Sequence, residues 1–256
     1  MSDRPRTLRD LKASGYKSVG VKLEMRRNLL ANPRIRAERI QVLYPGLTFD
    51  KLDREAKQSL PAPITQWLAD RPGPLLVHAA MLRWEKGHAT MLEALARLVR
   101  DFPMLRYLMA GEGELRSKLE ATVRDRGLGE HVLIAGLVPC MAPLYRRADL
   151  VVMPSLVEPL GMSQSEALAL GTPVVASRTG GIPETIEHRR SGLLVEAGNV
   201  DAWVEQLRWA LDHPEDMHTM ATVGCESVRS RFSMPTNIDR LLDNIHALID
   251  KGAQGS

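Results

Sequence analysis

From residue 73 onward the sequence alternates between two hydrophobic patterns. Short, almost wholly apolar runs occupy 74–79 (PLLVHA), 106–110 (RYLMA), 132–136 (VLIAG), 150–154 (LVVMP), 173–177 (PVVAS) and 192–196 (GLLVE). Between them lie stretches with helical spacing, at 88–101, 113–127, 141–148, 161–170 and 183–188. A short run that is apolar at every position fits a strand buried on both faces, and regular alternation with helices predicts a parallel sheet covered on each side. Right-handed crossovers then give an α/β, Rossmann-like, doubly wound layer. Ligands bind such sheets at the carboxyl ends of the strands, so the loops after residues 79, 110, 136, 154 and 177 hold the candidate chemistry.

The two ends of the chain read differently. Residues 200–212 and 214–231 predict two helices, and 236–250 predicts a third with one apolar stripe of Ile238, Leu241, Leu242, Ile245, Leu248 and Ile249. That stripe must pack on something. Near the start, 18–21, 23–31 and 39–46 predict strand, helix and strand, after which Pro61, Pro63, Pro72 and Pro74 interrupt the path. The expected division is a structural piece at 1–48, a connector at 49–72, the domain at 73–235 and a helix with its tail at 236–256. Two parallel strands do not make a stable sheet alone, so the first piece needs neighbours.

Composition bounds this picture without changing it. The 256 residues are 44% hydrophobic and 25% charged, an ordinary globular balance, and only three Phe and four Tyr imply an aliphatic core. No apolar run approaches the ~18–20 residues of a membrane span. The start, MSDRPRTLRD, lacks an apolar signal region, so the expected location is cytoplasmic. Cys140 and Cys225 lack metal spacing and read as free thiols. The net charge of +3 is uneven: residues 1–39 carry eleven Lys or Arg against four acids. This is either a solvated surface or an attraction to an anionic partner, such as the inner face of a membrane. Nucleic acid is not expected, because no binding motif is present and aromatics do not interleave with the basic residues.

The densest chemistry lies in EPLGMSQSEALALGTPVVASRTGGIPE, residues 158–184. Pro159 suits the entry to a helix, and Gly161 lets a ligand approach the backbone. The Gly161, Met162 and Ser163 amides are then free donors at the positive end of a helix dipole, an anchor for phosphate or hydroxyl groups. Glu158 stands before the helix, and Glu166 leans back along it toward the same end. Carboxylates accept from paired hydroxyls, as found on a sugar or a ribose. Either glutamate alone is also accounted for as a surface or helix-dipole residue. The Gly180–Gly181 pair suggests flexibility near a ligand. In LVHAAMLRWEKGH, Arg83 and Lys86 at a strand's carboxyl end could neutralise a diphosphate, or form a solvated turn. His88 is the one histidine beside that loop. MAGEGEL is weak evidence, since such glycines often mark tight turns. The backbone of GLV at 136–138 could meet a flat base. No HExxH, GxSxG or Walker pattern appears, and the seven histidines lack ligand spacing.

In this order the segments LRWEKGHATMLEAL, FPMLRYLMAGEGELRSKLE, HVLIAGLV, LYRRADLVVMPS, EALALGTPVVASRTGGIPETI and SGLLVEAGN resemble the retaining GT-B glycosyltransferases of family four, the glycosyl transferases group 1. The likeness spans 73–235 and is to the C-terminal, nucleotide-sugar-binding half; residues 1–48 resemble the end of the N-terminal, acceptor domain, and the last helix resembles the one that crosses back to it. The resemblance implies that Lys86 binds the donor diphosphate and Glu158 the transferred sugar. It also implies that the Gly161 and Met162 amides meet sugar or phosphate, Glu166 the ribose and the backbone near Val138 the base. It implies retention of configuration and no metal or other cofactor. The implied substrates are a nucleotide-diphosphate sugar and a glycan or lipid-linked acceptor, in a setting of cell-surface or lipopolysaccharide assembly. Two departures stand out. Ala80-Met81 replaces the family's Gly-Arg, leaving Arg83 as the substitute cation, and most of the acceptor half is absent. The alternatives are a non-catalytic nucleotide-sugar-binding module of a split or truncated enzyme, docked on an acceptor-domain chain or self-associated as a homo-oligomer, and a remnant without activity.

Overall fold

The computed structural model describes residues 18–20, 30, 40–69 and 72–253. The chain divides into two compact units, one of residues 49–230 and one combining 1–48 with 231–256.

The larger unit is built on a six-stranded, all-parallel sheet. Its strands are β3 (Leu75–Ala79), β4 (Arg106–Ala110), β5 (Val132–Gly136), β6 (Leu150–Met153), β7 (Val174–Ser177) and β8 (Leu193–Val195), in the order β5-β4-β3-β6-β7-β8. Every residue of β3, β4, β6, β7 and β8 is buried, which is why these runs carry no polar alternation. Helices α3 (His88–Leu98), α4 (Arg116–Asp125) and α7 (Val200–Asp212) cover one face, with the start of α8 (Pro214–Arg231). Helices α5 (Ala142–Arg147) and α6 (Met162–Ala169) lie against β3, β6 and β7. The expected doubly wound fold is therefore present. The order reverses between β3 and β6, so the topological switch point lies there.

Three features depart from the sequence reading. Within residues 49–69 lie two helices, α1 (Phe49–Glu55) and α2 (Ala62–Ala69), that belong to the larger unit. Pro61 and Pro63 start α2 instead of breaking the path; Pro61 O accepts from both Ile64 N and Thr65 N. Arg106, buried in β4, stacks on the Trp67 ring at 3.6 Å and donates to Trp67 O, while Arg229 of α8 meets Asp53 of α1 at 2.5 Å. The helix expected over 183–188 is only a 3-10 turn at Ile182–Glu184, closed by the Thr185 hydroxyl on Ile182 O at 2.9 Å. The helix expected from 88 stops at Leu98, before Phe102-Pro103, where the residue preceding proline disfavours helix.

In the smaller unit, β1 (Ser18–Gly20) and β2 (Ile40–Val42) pair in parallel. After β2, Leu47 N donates to Phe232 O and accepts at its carbonyl from Met234 N, at the start of α9 (Met234–Ala253). Asn237 donates to Tyr44 O at 3.1 Å, and the Tyr44 and Phe232 rings meet at 4.9 Å. Ile238, Leu242 and Ile245 of the α9 stripe remain exposed. The helix expected at 23–31 lies outside the described residues apart from Leu30, which is helical, as does most of the basic N-terminal stretch. No described helix is long and apolar enough to cross a membrane.

Trp203 of α7 is fully buried in the core over the sheet. Trp203→Ala is expected to cost about 3–5 kcal/mol, read as a lower urea midpoint with an unchanged slope.

Candidate functional site

The switch point sets the site's geometry. The loop leaving β3 carries Arg83 and Lys86, and the loop leaving β6 carries Glu158. Lys86 Nζ lies 2.8 Å from Glu158 Oε2, with side chains only 16% and 9% exposed. The Ser155 hydroxyl donates to the same oxygen at 3.3 Å. Burying one such charge is costly unless it is paired, so the pair constrains both loops at once.

The backbone around the pair is equally constrained. Leu156 N and Val157 N both donate to Glu85 O, at 2.8 and 3.3 Å. Gly87 has φ 71°, and a Cβ there would stand 1.9 Å from Pro154 O. Gly180 has φ 51°, with a Cβ position 1.8 Å from Glu158 O, and Gly181 N donates to Glu158 O at 3.2 Å. The glycine pair thus serves close backbone packing against the Glu158 loop, a stronger reason for glycine than the expected flexibility.

Helix α6 supplies the second half of the site. Gly161 precedes it with φ 84°, and no side chain caps its first amides. The Ser163 hydroxyl donates to Ala79 O at 3.0 Å, tying the first turn of α6 to the carboxyl end of β3. Met162 and Glu166 are half-buried. Burial pushes the Glu166 carboxyl above its usual range, a hydrogen bond from Tyr145 draws it back, and Glu55 pushes it up.

The other expected residues are dispersed. Arg83 is exposed and pairs with Glu85 at 3.6 Å. Val138 is half-buried in the loop after β5. With strands ~4.8 Å apart, that loop stands roughly 10 Å from β3, across the carboxyl edge of the sheet. Lys86 and Glu158 are brought together directly; Glu166 stands in a separate cluster with Tyr145 and Ser163. His88 is not at the site's mouth. It is buried, donates from Nε2 to Met81 O at 3.0 Å and lies 4.2 Å from the His78 ring. His78 Nδ1 bonds the Tyr107 hydroxyl at 2.7 Å. Ser155 and Tyr145 were not singled out from sequence. A serine closing a strand and a tyrosine on a short helix carry no signal until the loops are assembled.

The matching family model decides what this arrangement belongs to: the model for glycosyl transferases group 1 matches residues 64–224. The chain belongs to the glycosyl transferases group 1 family. The chain is 34% identical over 174 residues to the D-inositol 3-phosphate glycosyltransferase of Segniliparus rotundus, covering 66% of the chain and 38% of that protein. It spans less than half the length of the first curated relatives it matches. Its fold superposes on a glycosyltransferase from Rickettsia africae with a TM-score of 0.83 at 22% identity, over 94% of this chain and 65% of that one. It also superposes on Anabaena HepE in complex with UDP-glucose with a TM-score of 0.78 at 22% identity, over 90% and 63%.

Two measurements check the site's physics. Lys86→Met leaves the Glu158 carboxylate buried without its partner, at an expected cost of about 3–5 kcal/mol; Lys86→Met combined with Glu158→Leu should recover most of it in a urea double-mutant cycle. The second concerns His78 and His88, which burial holds below 6.5, with Lys86 adding to the effect. Each imidazole binds its proton more weakly when folded than when unfolded, so unfolding takes up protons and stability falls as pH drops through the ordinary histidine range. Urea unfolding at pH 7.5 and about pH 5.5 should show that loss, and a smaller loss in His78→Gln.

Proposed function

We propose that this chain is the donor-binding half of a glycosyltransferase, which holds a nucleotide-diphosphate sugar for retaining transfer. The observation that carries the reading is the buried Lys86–Glu158 pair at the switch point, beside the uncapped start of α6. An ammonium and a carboxylate side by side offer opposite contacts to neighbouring parts of one ligand. Lys86 meets the diphosphate, while Glu158 accepts from hydroxyls of the transferred sugar. The Gly161 and Met162 amides add donors at the helix dipole. Glu166 accepts from the ribose hydroxyls, and the backbone near Val138 meets the base. The UDP-glucose complex of Anabaena HepE, a protein of the same fold, supports a nucleotide sugar as the ligand.

Catalysis in this reading is electrostatic. As the sugar leaves, negative charge builds on the diphosphate and is met by Lys86, the α6 amides and Arg83, without a metal. Arg83 takes the place of the cation lost to Met81; swinging from Glu85 onto phosphate needs only a rotation of an exposed side chain. The acceptor is a hydroxylated glycan or lipid-linked molecule, and transfer takes place in the cytoplasm or at the membrane's inner face. Residues 1–48 are proposed as part of an acceptor domain and 236–256 as the crossing helix.

Calorimetric titration of UDP, GDP and ADP into the purified chain tests this reading. One nucleotide is expected to bind, with affinity reduced about tenfold or more in Glu166→Ala, because a charge-assisted hydrogen bond is lost. Absence of binding by all three would overturn the donor-site reading. Sugar transfer by the chain alone would overturn its reading as a half.

A further inference from the structure

The loop between β3 and α3 carries both cations of the site, Arg83 and Lys86. One side chain joins its two ends. His88, the first residue of α3, reaches back seven residues to Met81 O at 3.0 Å. Arg83 N donates to the same carbonyl at 2.9 Å. A carbonyl only accepts, so His88 Nε2 carries the proton, and in the neutral ring Nδ1 keeps its lone pair. His88 Nδ1 is buried and has no partner among the described residues. A second proton there would be a buried donor without an acceptor, so the neutral Nε2–H form is the one that fits.

The His88 ring is itself held by the sheet. It is 1% exposed and lies 4.2 Å from the ring of His78, which is fully buried in β3. The Tyr107 hydroxyl of β4 fixes His78 through a 2.7 Å hydrogen bond at Nδ1. A line of contacts thus runs from the core through His78 and His88 to the start of the loop.

The loop has other ties. The Leu156 and Val157 amides hold its middle at Glu85 O, and Glu158 holds the Lys86 ammonium. In the donor-site reading the diphosphate competes with Glu158 for Lys86, so that anchor weakens when ligand binds. The His88–Met81 bond uses neither the ammonium nor the carboxylate, and both cations lie between the residues it joins. A loop fixed beforehand in its binding conformation loses less freedom when the ligand arrives.

We propose that His88 is a positioning residue, whose Nε2–H bond to Met81 O fixes the loop that presents Lys86 to the donor diphosphate. This rests on the donor-site reading above. His88 touches no ligand; it acts through the loop's backbone.

The test is calorimetry on the full chain with UDP and UMP, or the corresponding pair of guanine or adenine nucleotides if one of those binds. Wild type is expected to prefer the diphosphate by about tenfold, since one charged hydrogen bond is at stake. His88→Leu, of similar size but without a donor, should bind UDP about fivefold more weakly with UMP affinity unchanged, so the preference falls to about twofold. His88→Gln, whose amide can donate to Met81 O, should keep affinity and preference close to wild type. Circular-dichroism melts confirm that each variant is folded. If wild type binds none of the nucleotides, or binds UMP as tightly as UDP, the donor-site reading fails and this proposal falls with it. If wild type prefers UDP and a folded His88→Leu does so equally, only the positioning role is overturned. The same holds if UDP and UMP weaken alike, or if His88→Gln behaves as His88→Leu, because the ring's packing and not its proton would then matter. Should His88→Leu fail to fold, His88→Phe, which keeps a ring against His78 without the donor, takes its place with the same expectation. If neither folds, His88 serves the fold alone and the positioning role is overturned.

Discussion

The contact between Lys86 and Glu158 constrains this molecule more than any other at its candidate site. A buried ammonium or carboxylate is tolerated only beside its opposite. Here the partners are 72 residues apart in sequence and come from loops that follow β3 and β6. They can meet only because those two strands are neighbours at the point where the strand order reverses. The loops must then run closely enough for Leu156 and Val157 to share the carbonyl of Glu85. That spacing leaves no room for a side chain at residue 87 or 180. Sheet order, loop geometry and glycine placement thus answer to one electrostatic requirement.

The same requirement organises function in the proposed reading. A nucleotide sugar is anionic at its centre and hydroxyl-rich at both ends. A row of cation, carboxylate, uncapped amides and second carboxylate matches it along the edge of the sheet. The replacement of the family's arginine by Met81 leaves Lys86 as the buried cation and Arg83 as an exposed one held by Glu85. Binding of the diphosphate therefore rests on a charge already engaged with Glu158. Ligand and protein compete for the same ammonium, and the sugar hydroxyls must compensate Glu158 as the phosphate takes Lys86.

The strands were legible in the chain because both faces are buried, so β3 and its neighbours read as unbroken apolar runs. Helices α7 and α8 were legible for the opposite reason, since each has one buried face and a clear period. The helix that begins near Pro61 was not legible, because Pro61 and Pro63 suit the start of a helix as well as a loop. What makes α2 form is packing, with Trp67 under Arg106 and Ile64 buried. Likewise, Gly180–Gly181 suggested flexibility, since a glycine needed for a close approach is written with the same letter as one needed for freedom. His88 stands beside the basic loop in sequence, and its ring is buried against His78.

By itself, then, the sequence determined the class of fold and which loops gather at one edge, because periodicity is a local property of buried strands and helices. It also determined which residues carry charge or accept hydroxyls: Lys86, Glu158 and Glu166. Only the tertiary structure decided that Lys86 and Glu158 pair with each other, that Arg83 pairs with Glu85, and that Ser155 donates to Glu158. Pairing depends on distance and burial between residues remote in the chain, and neither quantity exists until the sheet has brought its strands together.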